Sequence, residues 1–348
     1  FALTPGGEWI AYAVNEDGPS RLWLRSTSSG EERAVSGLPD GVIEGLTWAP
    51  DGARLAFSLS GPRYPSGIWS CGLDGIATEV TASNLGEVDP VTLSDPQIVR
   101  YPTFDGREIP AFWYKPATEG PWPVVVDVHG GPESQRRTQF APVTQFLLSR
   151  GYVVLAPNVR GSTGYGKAYC HLDDVERRMD AVADLTAAAD WLAAREDVRA
   201  DRIAVMGQSY GGFMTLAALT SYPDRWAAGV DVVGIADFIT FLERTGPWRR
   251  SRRAAEYGDL ERDADLLREI SPLHKVDRIK APLIVVHGRN DPRVPLFEAE
   301  QIVAALEARG RQTELLVFDD EGHGLAKRAN RIAGYGAIAA FLDRCLRD

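Results

Sequence analysis

The sequence predicts an α/β protein: a mostly parallel sheet flanked by helices, preceded by a smaller all-β region. Three observations carry this. Past residue 120, short apolar runs such as Pro123-Val-Val-Val-Asp-Val128, Tyr152-Val-Val-Leu-Ala156 and Pro282-Leu-Ile-Val-Val-His287 alternate with stretches at helical spacing. That is the pattern of buried strands joined by helices. One such run, Ile203 to Met206, leads straight into Gly207-Gln-Ser-Tyr-Gly211 and then an apolar helix pattern from Phe213 to Leu219. The first 90 residues instead show turn-separated, alternating segments, two of which resemble each other.

Composition bounds the function. The chain has 348 residues, long enough for two domains, and is 44% hydrophobic and 25% charged. Lys and Arg number 38 against 48 Asp and Glu, a formal net charge of −10. A nucleic-acid backbone is therefore not an expected partner. No apolar run approaches the ~20 residues that span a membrane. Cys71, Cys170 and Cys345 are odd in number and unclustered. This argues against a disulfide framework or zinc site and for a reduced, cytoplasmic setting. The first residue is Phe1, so the lack of a signal peptide carries no weight.

Residues 1–95 are expected to form one domain. Leu3-Thr-Pro-Gly-Gly-Glu-Trp-Ile-Ala-Tyr12 aligns with Trp48-Ala-Pro-Asp-Gly-Ala-Arg-Leu-Ala-Phe57, Pro5 and Pro50 being 45 residues apart. Each segment is a turn followed by alternating residues and then a second strand with a Trp, Trp23 or Trp69. Turn-separated strands at this period are the signature of four-stranded propeller blades. About two blades are present where a closed ring needs roughly 4–8. The region is thus expected to be a partial β-propeller whose other blades lie outside these residues. A linker rich in Pro and Asp runs from about Gly86 to Pro96.

Residues 96–348 are expected to form the second domain. Ile98 to Phe104 and Glu108 to Tyr114 flank the Asp105-Gly106 turn and read as a hairpin. The strand ending at Val128 runs into His129-Gly130-Gly131-Pro132. Glycines there let backbone approach a ligand, as in an HGGG-type oxyanion loop. The N–H of Gly131 is assigned as one donor, with Gly130 as the alternative. A helix over 140–149 and the strand 152–156 follow, then the loop Asn158-Val-Arg-Gly-Ser-Thr-Gly-Tyr-Gly-Lys167. Loops at strand C-termini line the binding crevice of such sheets, so Tyr165 is a candidate substrate contact. A helix over 179–195 precedes the serine motif. Trp226 to Val233 reads as the next strand, and Gly234 to Gly258 as a loop-rich aromatic stretch. Within it Phe238 and Phe241 are candidate pocket residues. Arg249, Arg250, Arg252 and Arg253 read as a solvated or salt-bridged face.

Strand, sharp turn, helix is the context that gives G-x-S-x-G meaning. The turn lifts the Ser209 hydroxyl above the sheet, beside a helix N-terminus where the N–H of Tyr210 can face a developing oxyanion. The strand ending at His287 is followed by Asp291, and the strand Thr313 to Phe318 by a loop carrying His323, before a last helix from about Arg331. The order Ser209, Asp291, His323 is that of an α/β-hydrolase triad. In it Ser209 attacks a carbonyl, His323 relays the proton, and Asp291 orients the imidazole. Asp319 and Asp320 share the loop of His323 and sit too close to it to serve. His287 lies inside a strand. His129 reads as shaping its turn.

These motifs together resemble the prolyl oligopeptidase family of serine peptidases, nearest the branch that contains acylaminoacyl peptidases. The resemblance rests on His129-Gly-Gly-Pro132, Asn158-Val-Arg-Gly-Ser-Thr-Gly-Tyr-Gly166, Gly207-Gln-Ser-Tyr-Gly-Gly212, Asn290-Asp-Pro-Arg-Val-Pro295 and Glu321-Gly-His-Gly324, which span nearly all of residues 98–348. It implies a β-propeller ahead of the hydrolase domain, and an aminopeptidase, acylaminoacyl peptidase or oligopeptidase acting on short peptide or aminoacyl substrates. It also implies an oxyanion hole from the Gly131 and Tyr210 N–H groups, and a substrate carbonyl bound by Arg293. No cofactor or metal is implied, and a homo-oligomer is left open. Where the prolyl and dipeptidyl branches use a Tyr hydroxyl at the oxyanion hole, this chain has His129. The alternative reading is an esterase or amide-compound hydrolase on the same fold, against which the blade repeats count.

Overall fold

Alternation of buried and exposed residues, clearest in the third and sixth strands, marks the first sheets. The computed structural model describes residues 1–347. Strands β1 (Ala2–Leu3), β2 (Trp9–Asn15), β3 (Ser20–Ser26) and β4 (Glu32–Ala34) pair antiparallel in that order. Strands β5 (Val42–Trp48), β6 (Arg54–Gly61), β7 (Tyr64–Gly72) and β8 (Ala77–Thr81) repeat the pattern. In β3 every second residue is buried, and Leu22 and Leu24 share a core with Trp48, Leu55, Phe57 and Leu59. The aligned repeats thus become two four-stranded antiparallel sheets.

Contacts divide the chain into two compact units, residues 1–96 with 136–149, and residues 97–135 with 150 onward. The segment 136–149, expected in the second domain, belongs with the first unit. Its polar groups explain why. Arg137 donates to the Gly18 carbonyl at 3.1 Å and to Ser20 Oγ at 2.8 Å. On helix α1 (Pro142–Ser149), Gln145 Nε2 donates to the carbonyls of Pro62 and Ser94 at 3.1 and 2.8 Å.

The second unit is built on one eight-stranded sheet. Its strands are β9 (Gln97–Pro102), β10 (Glu108–Tyr114), β11 (Trp122–Val128), β12 (Val153–Pro157), β13 (Val198–Gln208), β14 (Ala228–Val232), β15 (Leu283–Gly288) and β16 (Thr313–Phe318). The order is β16-β15-β14-β13-β11-β12-β10-β9, parallel except at the β9–β10 and β10–β12 pairs. This is an α/β-hydrolase sheet. Helices α2 (Lys167–Cys170), α3 (Arg178–Ala193), α4 (Tyr210–Ser221), α5 (Phe238–Arg244), α6 (Pro247–Tyr257), α7 (Ala264–Ile270), α8 (Phe297–Glu307) and α9 (Arg328–Leu346) complete it. Val124, Val126 and Val128 join Leu185, Phe213, Ile302 and Leu306 in one core, so α3, α4 and α8 cover one face. Helix α9 packs against β13, β14 and β15. The stretch 234–258, expected to be loop-rich, holds α5 and α6. Asp237 caps α5 by accepting from the Ile239 N–H at 2.8 Å, and Pro247 starts α6.

After β11 the chain goes one way to β12, then returns to the other side of β11 for β13. The order reverses between β11 and β13, and such a switch point opens the crevice in which α/β sheets bind ligands.

A buried ion pair ties the loop after β12 to α3. Asp184 accepts from Arg160 Nε at 2.9 Å, Arg160 Nη2 at 2.8 Å and Thr103 Oγ1 at 2.8 Å. Replacing Arg160 with Met strands the Asp184 charge in the core. The expected cost is about 3–5 kcal/mol, read as a lower urea midpoint. An unchanged midpoint contradicts this account.

Candidate active site

The crevice end of β13 stops at Gln208, and Ser209 takes φ 61° and ψ −120° before α4 begins. This is a left-handed conformation that non-glycine residues rarely adopt, at a cost of about 1–3 kcal/mol. It persists because both flanks are fixed. The Ser209 N–H donates to the Val232 carbonyl at 2.8 Å, and its carbonyl accepts the first helical bond from Phe213 N–H at 3.1 Å. The turn is too tight for side chains beside it. A Cβ on Gly207 would stand 2.2 Å from the Gly211 carbonyl oxygen, and one on Gly211 would stand 2.3 Å from that of Val128.

Three strand ends bring the polar groups together. Ser209 Oγ lies 2.9 Å from His323 Nε2, and His323 Nδ1 lies 2.6 Å from Asp291 Oδ2. A carboxylate only accepts, so Nδ1 carries the proton and Nε2 is left to accept from the hydroxyl. Asp291 Oδ1 accepts the N–H groups of Arg293 and Val294 at 2.8 and 3.1 Å, which fixes the carboxylate in a fully buried position. His287 also lies near, 3.6 Å from Asp291 Oδ2. It donates from Nε2 to the Val294 carbonyl at 2.9 Å, and burial pushes its pKa down.

The loop after β11 closes the opposite side. A Cβ on Gly130 would come within 2.7 Å of the Gln208 carbonyl and 3.3 Å of Ser209 Cβ, so this backbone lies directly on the serine turn. Buried His129 donates from Nδ1 to the Gly130 carbonyl at 2.8 Å, and its Nε2 is 2.8 Å from Ser162 Oγ. C=O and N–H of a trans peptide point opposite ways, so this bond fixes where the Gly131 N–H can point. Across the crevice, the Tyr210 N–H opens α4 and has no acceptor within its helix. The arrangement can activate a hydroxyl for attack on a carbonyl carbon and receive negative charge beside it.

Below the turn lies a buried network. Arg178 Nη1 donates to Asp173 Oδ2 at 2.5 Å and to Tyr210 Oη at 2.9 Å, and its guanidinium lies 5.2 Å from both the Tyr210 and Tyr257 ring centres. Arg253 Nη1 and the Tyr257 hydroxyl donate to the Gly131 carbonyl at 3.3 and 3.4 Å. Burial pushes Asp173 up to about 6 against the pull of Arg178, and Glu256 up to about 7 against Arg253 and Arg178.

Of the expected site residues, the structure brings Ser209, Asp291, His323, Gly131 and Tyr210 to one crevice. Arg293 is exposed beside Asp291, and its side chain makes no ion pair among the described residues. Tyr165 is half-buried, its hydroxyl accepting from Asn158 Nδ2 at 2.9 Å and its ring 5.3 Å from that of Tyr169. Phe238 and Phe241, expected at a pocket wall, are instead 0% and 2% exposed. Phe238 packs on Phe213 and Tyr257 at 4.8 and 5.0 Å, because the α5 cap turns this face inward. The sequence reading missed Arg178, Asp173, Glu256 and Tyr257. Pro247 and Gly258 bracketing a helix were the available signal for the last two. Among the described residues no group of three or more His, Cys, Asp or Glu is arranged to hold a metal ion. None of their helices is long and apolar enough to cross a membrane.

Comparison with known proteins adds to this geometry. The family model described as "Prolyl oligopeptidase family" matches residues 138–348. Dipeptidyl aminopeptidase BIII of Pseudoxanthomonas mexicana is 40% identical over 233 residues, 66% of this chain and 34% of that protein. A puromycin-hydrolyzing peptidase of Mycobacterium tuberculosis superposes with a TM-score of 0.89 at 28% identity, covering 99% of this chain and 53% of that one. The acylaminoacyl peptidase of Pyrococcus horikoshii gives a TM-score of 0.86 at 26% identity, covering 97% and 54%. The chain thus spans from about a third to about half of the length of these relatives.

Asp231 on β14 lies under the serine turn, where a Cβ on Gly212 would come 2.3 Å from its Oδ1. Burial pushes it up to about 7, the Gly234 N–H opposing and the Glu298 charge adding. A raised carboxyl contributes stability below its unfolded pKa and loses it as pH rises through the folded one. Asp231→Asn is neutral throughout. Its stability relative to wild type is expected to improve between pH 5 and 8 by roughly 2–3 kcal/mol. Thermal melts at both pH values check this, and a pH-independent difference contradicts it.

Proposed function

Because the chain belongs to the prolyl oligopeptidase family, we propose that it carries the hydrolase machinery of a serine peptidase cleaving short peptides or releasing N-terminal residues. The observation that carries the reading is the continuous chain Ser209–His323–Asp291, at 2.9 and 2.6 Å. Ser209 Oγ attacks the scissile carbonyl while His323 Nε2 takes its proton. The same imidazolium, stabilised by Asp291, returns the proton to the leaving amine. Water then repeats the sequence on the acyl-enzyme. The N–H groups of Tyr210 and Gly131 bind the oxyanion, and Arg293 binds a substrate carbonyl. Tyr165 lies on the loop that approaches from the β12 side. Residues 1–95 and 96–348 are the two domains of this reading, with 136–149 an excursion of the second onto the first unit, and the two four-stranded sheets are consecutive blades of a propeller. Free Cys71, Cys170 and Cys345 support a reducing, cytoplasmic setting.

The test uses a serine-directed phosphonate and a panel of aminoacyl, acetyl-aminoacyl and dipeptidyl anilides, with puromycin and simple esters alongside. The phosphonate is expected on Ser209, and Ser209→Ala is expected to lower kcat for anilides by roughly 10⁴–10⁶. Turnover that survives the substitution sinks the reading. Hydrolysis of simple esters without any amide turns it into an esterase.

A further inference from the structure

Helix α6 is fixed at both ends against the catalytic loops. Just before it, Thr245 Oγ1 donates to the Arg293 carbonyl at 2.9 Å. Toward its end, Arg253 and Tyr257 hold the Gly131 carbonyl. Residues 249, 253 and 257 are successive i, i+4 positions, so they share the face that runs between these two contacts.

The charges on this helix are not equally answered. Arg253 pairs with Glu256 Oε2 at 2.6 Å. Arg250 donates to the carbonyls of Leu242 and Glu243 at 2.7 Å. Arg249 makes no ion pair among the described residues, and its Nε is buried without an acceptor. Burial, and then the charges of Arg253 and Arg293, hold its pKa below the usual range, while Tyr257 and Asp291 oppose them. Asp291 is already engaged by His323 and two backbone N–H groups. The mouth of the site therefore carries two guanidinium groups, Arg249 and Arg293, with no carboxylate of their own.

We propose that Arg249, beside the carbonyl-binding Arg293, forms a specificity subsite for a carboxylate of the substrate, carried as an acidic side chain on the acyl side within two residues of the scissile bond. This deepens the peptidase reading and rests on it. A planar carboxylate matches the guanidinium fork, gives the buried Nε its missing acceptor, and relieves the repulsion between the two arginines. A neutral side chain does none of these.

The experiment pairs dipeptidyl anilides that differ only by Glu or Gln, at the residue whose carbonyl is cleaved and at the residue before it, using the full chain. For one of the two positions, wild type is expected to favour Glu over Gln by about tenfold in kcat/KM, expressed mainly in KM. Arg249→Gln is expected to bring that ratio close to one, and Arg249→Lys to restore part of it. Arg252→Gln, on an exposed position of the same helix, is expected to keep it. Phosphonate labelling of Ser209 in each variant shows that the site is assembled. Equal cleavage of Glu and Gln members by wild type overturns the subsite and leaves the peptidase reading standing. A ratio that persists in a labelled Arg249→Gln protein also overturns it. Cleavage of no anilide by wild type takes both down.

Discussion

The constraint on which the rest depends is the left-handed backbone at Ser209. A hydroxyl presented above the sheet needs the chain to leave β13 and enter α4 with almost no intervening residue. At φ 61° that reversal is unfavourable by itself. It is held because the Ser209 N–H is bonded across to β14 and the backbones of the β11 loop and of α4 close in on it. Each close approach requires a glycine, so the sequence around the serine reads G-Q-S-Y-G-G. The same closeness brings the His129-Gly-Gly loop against the serine. The strained residue and the loop that faces it are thus one packing solution, seen from two strands.

Around this point the protein arranges charges in two different ways. The Asp291 carboxylate is surrounded by donors: it accepts from His323 Nδ1 and two backbone N–H groups. These three hydrogen bonds offset the cost of burying the carboxylate. Asp231 and Glu256 are buried with weaker compensation, and burial raises them to about 7. Among the described residues Asp231 has no cation beside it, whereas Glu256 has Arg253 at 2.6 Å.

Much of this was legible in the sequence because its signals are local. A strand, a glycine-flanked serine and a helix are contiguous in the chain, and so are strand-end motifs such as Asp291 after β15 and His323 after β16. Periodicity likewise separated the alternating repeats of β1–β8 from the fully apolar runs of the larger sheet. What escaped was long-range or carried by helices without apolar periodicity. Nothing local marks Arg178 as buried. Its partners Asp173, Tyr210 and the Glu256 carbonyl come from three segments, and only the fold collects them. The grouping of 136–149 with the first unit was not legible for the same reason, since Arg137 and Gln145 find their acceptors more than 50 residues away.

Helix α6 shows how a composition can hide a site. Read as a string, Trp248-Arg-Arg-Ser-Arg-Arg253 is a basic patch, and a solvated face is the simplest meaning of it. Wound as a helix whose ends are bonded to the Arg293 and Gly131 loops, the same arginines separate. Arg250 turns back onto the carbonyls that end α5, Arg252 faces solvent, and Arg253 is neutralised by Glu256 while it steadies the oxyanion loop. Arg249 alone keeps both its charge and an unanswered donor at the crevice. Its guanidinium lies 5.4 Å from the Trp248 ring centre, a contact that leaves the Nε donor unanswered. The natural way to answer that donor is an anion that arrives with the substrate, so the helix that braces the oxyanion loop also selects what is brought to it.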